Sequence, residues 1–342
     1  MKAIVNTEYG PPGVLELREV EKPAPGDREV LIKVHATTVT AADYRLRGSS
    51  FPAVFWLPGR LIYGLRRPKR TILGTELAGV VEAAGKEVTS LKKGDLVFGM
   101  DGSRFGAYAQ YVCRSENSAL AQKPPGLDFE EAASIPFGAL TALYFLRDRG
   151  KIRRDQKVLI YGASGGVGTA AVQLAVSFGA VVTGVCSTSN LEMVRSLGAD
   201  RVIDYTREDF TSIGETWDII FDTVGKTSFS RCRSSLAREG RHLFTVFGLK
   251  ELLQMLWTSV IGGKKVICDV APEKKEDLLF IRGLVEEGKI RPVIDKRYPL
   301  EQAAKAHEYA EKGHKRGSVV ITIGLESGRP WELYEAGACI LK

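Results

Sequence analysis

The run Val158-Leu159-Ile160-Tyr161-Gly162-Ala163-Ser164-Gly165-Gly166-Val167-Gly168, continuing as Thr169-Ala170-Ala171-Val172-Gln173-Leu174-Ala175, has the residue types that hold a dinucleotide. Four apolar or aromatic residues make a buried strand, and the glycines let the backbone turn tightly and approach a pyrophosphate. The N-terminus of the helix that follows offers unpaired N–H groups to negative charge. The usual G-x-G-x-x-G pattern is offset, with Ala163 at the place of the first glycine. On glycine spacing alone, an ordinary glycine-rich corner explains the run about as well as a nucleotide loop. An NAD site would also place a carboxylate at the end of the next strand to grip a ribose hydroxyl. The chain instead has Val185-Cys186-Ser187-Thr188-Ser189-Asn190, neutral and rich in hydroxyls, with Tyr205 and Arg207 beyond the third strand. Donors without a carboxylate suit a 2′-phosphate, so NADPH is favoured over NADH. Simple turn chemistry also accounts for Ser187 and Ser189.

The elements around the turn support the nucleotide reading. A second apolar run, Ala180 to Cys186, follows the helix. After it come a helix over Asn190 to Ser196 and strands Arg201 to Asp204 and Trp217 to Asp222. This alternation predicts a doubly wound parallel sheet in an α/β chain. Before residue 126 the pattern changes to short strands between Gly, Pro and charged turns: Glu29 to Ala36, Gly79 to Ala84, Leu96 to Gly99 and Ala107 to Val112. Asp128 with Glu131 reads as a capping box opening the passage into the second domain. Helices over Lys274 to Glu287 and Leu300 to Glu311, then a strand Gly317 to Ile323, are expected to return to the first domain. Residues 324 to 342 match no pattern.

With 342 residues, 44% hydrophobic, the chain is long enough for two domains. A net charge of +7 suits anionic partners, yet no RNA-reading motif is present, so nucleic acid is not expected. Five scattered cysteines without a C-x-x-C pair argue against a disulfide framework or a structural zinc. The first residues read as a strand and not as a signal peptide. The expectation is a reducing, cytoplasmic setting.

Eight segments in order resemble the medium-chain dehydrogenase/reductase superfamily, in its zinc-independent quinone oxidoreductase branch, over about residues 1 to 324. They are Leu73 to Val81, Lys93 to Gly99, Gly106 to Tyr111, Ile135-Pro136 to Ala142, Tyr161 to Gly168, Leu197 to Asp200, Val202 to Tyr205 and Gly288 to Pro292. The resemblance implies a GroES-like β-rich domain from residues 1–126 and 272–342, a Rossmann NADP-binding domain over 127–271, and a homodimer. Zinc enzymes of the superfamily carry a ligating Cys in the segment matching Val39 to Arg47 and a His before the matching Glu76. Here the first has no Cys and Thr75 stands at the second. Thr cannot supply a zinc ligand of the required kind, so no metal is expected.

The chemistry left is hydride transfer from NADPH to an acceptor already electrophilic, a quinone or an α,β-unsaturated carbonyl. The resemblance assigns Thr141 to positioning the nicotinamide half, and Ser164, Gly165, Gly166 and Val167 to the pyrophosphate. It assigns Ser187 and Tyr205 to the 2′-phosphate end, Val224 to the adenosine and Phe247 to the nicotinamide. Thr141 also reads as a hydroxyl near a helix start and Phe247 as core. Tyr44 is the one candidate proton donor in the segment that lines the cleft of relatives, although water is the preferred source, and Asp43 reads as structural. An apolar, basic insertion, Phe51 to Arg70, and the stretch Leu252 to Lys265 are read as flanking the cleft. Peripheral contact with an anionic membrane surface is one expectation for them. Packing on one another or on a dimer partner is the simpler one. Two alternative functions remain: a non-enzymatic nucleotide-fold protein binding RNA or a membrane surface, and a zinc-free alcohol dehydrogenase.

Overall fold

The computed structural model describes residues 1–324. The tail beyond, including Cys339 and the C-terminal part of the range assigned to the first domain, lies outside the described residues. The β-rich part begins with β1 (Lys2–Val5) and β2 (Glu16–Glu19), an antiparallel pair. It continues with β3 (Glu29–Thr38), helices α1 (Ala41–Gly48) and α2 (Ala53–Tyr63), then β4 (Glu76–Ala84), β5 (Leu96–Met100), β6 (Tyr111–Ser115) and β7 (Ala119–Gln122). Two short helices, α3 (Phe129–Ala133) and α4 (Pro136–Leu143), lead into the second part.

That second part alternates as the sequence pattern requires: β8 (Lys157–Tyr161), α5 (Gly166–Ser177), β9 (Val181–Cys186), α6 (Leu191–Ser196), β10 (Arg201–Asp204), β11 (Trp217–Asp222), α7 (Phe229–Cys232), β12 (Leu236–Phe244), α8 (Leu249–Val260) and β13 (Lys265–Cys268). The six strands form one parallel sheet in the order β10-β9-β8-β11-β12-β13. This doubly wound order reverses direction between β8 and β11, which opens a crevice at the strand ends. Val158, Leu159 and Ile160 in β8 are all buried, as expected of a central strand covered on both faces.

The chain then returns through α9 (Lys275–Glu286), β14 (Ile294–Pro299), α10 (Ala303–Glu311) and β15 (Ser318–Thr322). Strand β15 pairs antiparallel with β3, so both chain ends build one seven-stranded sheet, β14-β15-β3-β4-β5-β7 with β6 on β3. The fourth strand expected from the sequence, Ala107 to Val112, is displaced to Tyr111–Ser115. Residues 107–110 first pair with β1, where Ile4 donates its N–H to the Tyr108 carbonyl at 2.8 Å, and the Tyr108 ring is fully buried. At α3 the Asp128–Glu131 capping box is present in both directions, at 2.7 and 3.0 Å.

Two contacts fix α4, the helix of the second domain that meets the first. In α4, a Cβ added to Gly138 would stand 2.4 Å from the Gly166 carbonyl oxygen, so α4 lies directly on the start of α5. The second contact is Glu76, buried at the start of β4. One of its carboxylate oxygens accepts from the Thr38 hydroxyl, and the other from the Phe137 N–H in α4 at 2.7 Å. Nearby, the Asp43 carboxylate accepts from the Thr40 N–H at 2.8 Å, the Thr40 hydroxyl at 2.6 Å and the Gly74 N–H at 3.1 Å, and it closes a capping box on α1. Burial pushes the Glu76 carboxyl up to about 7 and that of Asp43 up to about 6, outweighing hydrogen bonds that favour the charged form.

Two predictions follow from this junction. Gly138→Ala should lower the unfolding free energy by about 1 to 3 kcal/mol in urea titration, because neither backbone can retreat freely. For Glu76, a pKa raised above the unfolded value means that the folded state keeps a proton the unfolded state releases. Its contribution is present below about pH 4.5 and lost as pH rises through about 7. The buried neutral His242 and His307, pushed down to about 3, act in the opposite sense. The measurement is therefore the difference between wild type and Glu76→Gln. Wild type should lose on the order of 2 kcal/mol relative to the variant between about pH 5 and pH 8; a difference flat with pH contradicts this.

Candidate functional site

At the end of β8 the chain turns at Gly162, whose φ of +81° only glycine adopts without strain. The left-handed residue is thus Gly162, immediately before Ala163, and Gly165 and Gly168 keep the third and sixth places of the pattern. Ala163 is buried and points away from the turn, against Gly184. Gly165 donates its N–H to the Gly162 carbonyl at 3.1 Å and caps α5, which begins at Gly166. Among the described residues, and apart from its two chain neighbours, the one atom within 4 Å of a Cβ placed on Gly165 is the Gly162 carbonyl oxygen, at 3.6 Å. The backbone here is open to a phosphate, and the first N–H groups of α5 have no partner within the helix.

The end of β9 lies beside this turn. The Asn190 side-chain amide donates to the Ser164 hydroxyl at 3.2 Å and to the Ser187 hydroxyl at 3.1 Å, tying the turn to the hydroxyl-rich segment. Its Oδ1 is buried and has no protein partner among the described residues, as a group awaiting a ligand would be. A carboxylate does stand close by, at the end of β10. Asp204 accepts from the hydroxyls of Thr188 and Thr206, which hold its pKa down, and Arg207 lies 3.7 Å away. Its hydrogen-bonding capacity is therefore already engaged. Tyr205, half exposed, follows Asp204 with its ring 6.4 Å from that of Tyr161, and Val224 packs over Gly162 from the end of β11.

Across the crevice, Thr141 lies one turn beyond Gly138 in α4, half-buried. Phe247, just after β12, meets Phe55 of α2 edge to face at 5.4 Å. The structure therefore gathers Ser164, Gly165, Gly166, Val167 and Ser187 around one turn, with Tyr205 and Val224 flanking it and Thr141 and Phe247 on the cleft elements. Tyr44 is placed differently. It packs half-buried against the core of the β-rich domain, with Arg45 and Glu311 as charged neighbours and burial raising its phenol pKa, and it is hydrogen-bonded to none of the others.

Three residues escaped the sequence reading as site members: Glu76, Asn190 and Lys315. Half-buried Lys315 donates to the Gly317 carbonyl at 2.8 Å, and its Nζ lies 3.4 Å from where a Gly166 Cβ would stand. Gly317 in turn donates its N–H to the Ser164 carbonyl at 2.8 Å. A cation from the last strand's approach is thus set against the pyrophosphate turn. Burial lowers its pKa, and Glu76 and Asp295 counter that effect. Only the return of the chain end reveals this; the Lys315-Arg316-Gly317 run carries no motif.

Whether a zinc would fit can be judged from the donors. Thr75 stands buried with its hydroxyl 3.2 Å from that of Thr40, and each carboxylate oxygen of Asp43 and Glu76 already accepts at least one hydrogen bond. Among the described residues no group of three or more His, Cys, Asp or Glu is arranged to hold a metal. The residues present do not fit a zinc site. They do fit a dinucleotide, through the open glycine turn, the unpaired Asn190 oxygen and the adjacent lysine.

Residues 26–125 match the alcohol dehydrogenase GroES-like domain, and residues 197–321 match a family described as zinc-binding dehydrogenase. The 2-methylene-furan-3-one reductase of Solanum lycopersicum is 33% identical over 94% of this chain and 79% of that protein. The chloroplastic NADPH-dependent alkenal/one oxidoreductase of Arabidopsis thaliana is 31% identical, again over 94% of this chain and 79% of that protein. The quinone oxidoreductase structure from Coxiella burnetii superposes with a TM-score of 0.84 at 31% identity, covering 95% of this chain and 99% of the other. With the two-domain architecture and the glycine-turn crevice in place, these likenesses make the chain an oxidoreductase that belongs to the quinone oxidoreductase and enone reductase branch of the medium-chain dehydrogenase/reductase superfamily.

Proposed function

We propose that the protein transfers hydride from NADPH to a quinone or an α,β-unsaturated carbonyl without zinc. The observation that carries this reading is the meeting of an open glycine turn, Asn190 and Lys315 with a cleft whose buried oxygens are already spoken for. Names of relatives agree with it: one is an NADPH-dependent alkenal/one oxidoreductase and another a furanone reductase.

The nicotinamide cofactor supplies the hydride when bound. Around it, the N–H groups at the start of α5, over Gly165, Gly166 and Val167, and the Lys315 ammonium hold the pyrophosphate, with Ser164 kept in place by Asn190. Ser187, Tyr205 and Arg207 receive the 2′-phosphate, Val224 borders the adenosine, and Thr141 and Phe247 border the nicotinamide. The Asp204 carboxylate, engaged by Thr188, Thr206 and Arg207, is screened from a 2′-phosphate. With no metal to polarise an alcohol, the acceptor must be electrophilic by itself. An enone takes hydride at its β carbon and a proton at its α carbon, and water entering the cleft is the proton source. Tyr44, facing Glu311 and hydrogen-bonded to no site residue, is the weaker candidate donor.

A homodimer fits the same surface logic. Strand β13 is the edge of the parallel sheet, and α8 beside it turns Leu249, Leu253, Leu256, Trp257 and Val260 outward at helical spacing while Leu252 and Met255 face the core. A second copy meeting this edge about a twofold axis would cover that stripe. The four described thiols, all buried or half-buried and pushed up by burial, suit a reducing cytoplasmic setting.

The protein mixed with NADPH and either a benzoquinone or butenone should oxidise the cofactor, more slowly with NADH, and should keep its rate after treatment with a zinc chelator. No oxidation above background with either acceptor, or loss of activity on chelation, contradicts the proposal. Lys315→Met should raise KM for NADPH on the order of tenfold with a smaller effect on kcat, the scale of one charge-assisted hydrogen bond. Ser187→Asp should reverse the preference toward NADH.

A further inference from the structure

We propose that α2 and the basic loop that follows it form a docking surface for an anionic phospholipid bilayer. The two apolar segments read together in the sequence part company in the structure. Phe55 of the first meets Phe247, which precedes the second, and each segment keeps a separate outward stripe. On α2 that stripe is Trp56, Leu57, Leu61 and, just past the helix, Leu65, exposed by 45%, 54%, 59% and 54%. Such a patch, on the order of a few hundred Å², is at the scale that marks an interaction site.

The helix is held firmly from behind, so the stripe has a fixed direction. Phe51 stacks on Tyr63, Tyr63 meets Phe105 edge to face, and the Tyr9 hydroxyl donates to the carbonyls of Tyr63 and Gly64. The chain then folds back on the helix end. Lys69 donates its N–H to the Tyr63 carbonyl at 2.7 Å and its ammonium to the Leu61 carbonyl at 3.1 Å. This places the exposed Arg66, Arg67 and Arg70 beside Leu61 and Leu65.

Charge selects the occupant. From Tyr44 to Thr75 the chain has seven cations and no carboxylate, and Arg47 alone of the seven is in an ion pair within the described residues. A second copy meeting this patch about a twofold axis would set the same cations face to face. A negatively charged leaflet instead receives the cations at its headgroups and the Trp56, Leu57, Leu61 and Leu65 side chains at its acyl boundary. No described helix is long and apolar enough to cross a membrane, so the contact is one of lying on the surface. The proposal does not depend on the oxidoreductase chemistry, and its test uses neither cofactor nor acceptor.

The full-length protein is sedimented with phosphatidylcholine vesicles with and without phosphatidylglycerol, at low and high salt. Binding is expected only with phosphatidylglycerol and should be lost in high salt, with a blue shift of tryptophan emission that Trp56→Phe removes. Replacing Arg66, Arg67 and Arg70 together by Gln should weaken binding on the order of a hundredfold, and the pair Leu57→Ser and Leu61→Ser should abolish it. Neither set should alter the thermal melt or the mass by light scattering. Three results overturn the proposal: no sedimentation with anionic vesicles at low salt, undiminished binding of the triple Gln variant, or a change of oligomeric state in the Leu57 and Leu61 variant. The first rests on wild-type protein alone, so it stands even if a variant folds poorly.

Discussion

The closeness of α4 to the start of α5 governs the rest of the cleft. With no side chain at Gly138, the two backbones meet at the Gly166 carbonyl. Thr141 follows one turn later, and the Phe137 N–H is left facing the other domain, where Glu76 accepts it. The glycine turn is approached from a third direction by Gly317 and Lys315, carried in by the chain end. Three sequence-distant segments therefore converge on one helix N-terminus, and their separation is fixed by backbone contact and not by adaptable side chains.

The electrostatics follow from the same convergence. Buried carboxylates are costly unless they are hydrogen-bonded, and Glu76 and Asp43 are surrounded by hydroxyl and backbone donors. Burial still outweighs those bonds, so both carboxyls take up a proton more readily than in water. The Lys315 ammonium favours the ionised form of Glu76, and it also lies against the glycine turn. The Glu76 carboxylate ties the two domains together at the Phe137 N–H, and Asp43 holds the start of α1 beside it.

Much of this was legible in the chain. The alternation after residue 157, the Asp128–Glu131 cap and the return of the last strand to the first domain depend on local pattern, and local pattern is what a sequence displays. The glycine turn was legible from Gly165, Gly166 and Gly168, while the left-handed backbone of Gly162 just before it shows only in three dimensions. The segment from Ala107 was read as one strand because its alternation continues across a switch of pairing partner from β1 to β3. Asn190, Glu76 and Lys315 were missed as site members for a different reason. Each acts through a partner far along the chain, Ser164, Phe137 and the Gly166 turn respectively, and no spacing rule connects them.

The central claim is that this crevice moves hydride from NADPH to carbon without a metal. It is tested most directly by a turnover of protein stripped of metal, with NADPH carrying deuterium at the transferable nicotinamide position and an enone as acceptor. The account predicts deuterium at the β carbon of the saturated ketone, at the rate seen before stripping. A product without the label, or turnover that vanishes with the metal and returns when zinc is restored, would contradict it.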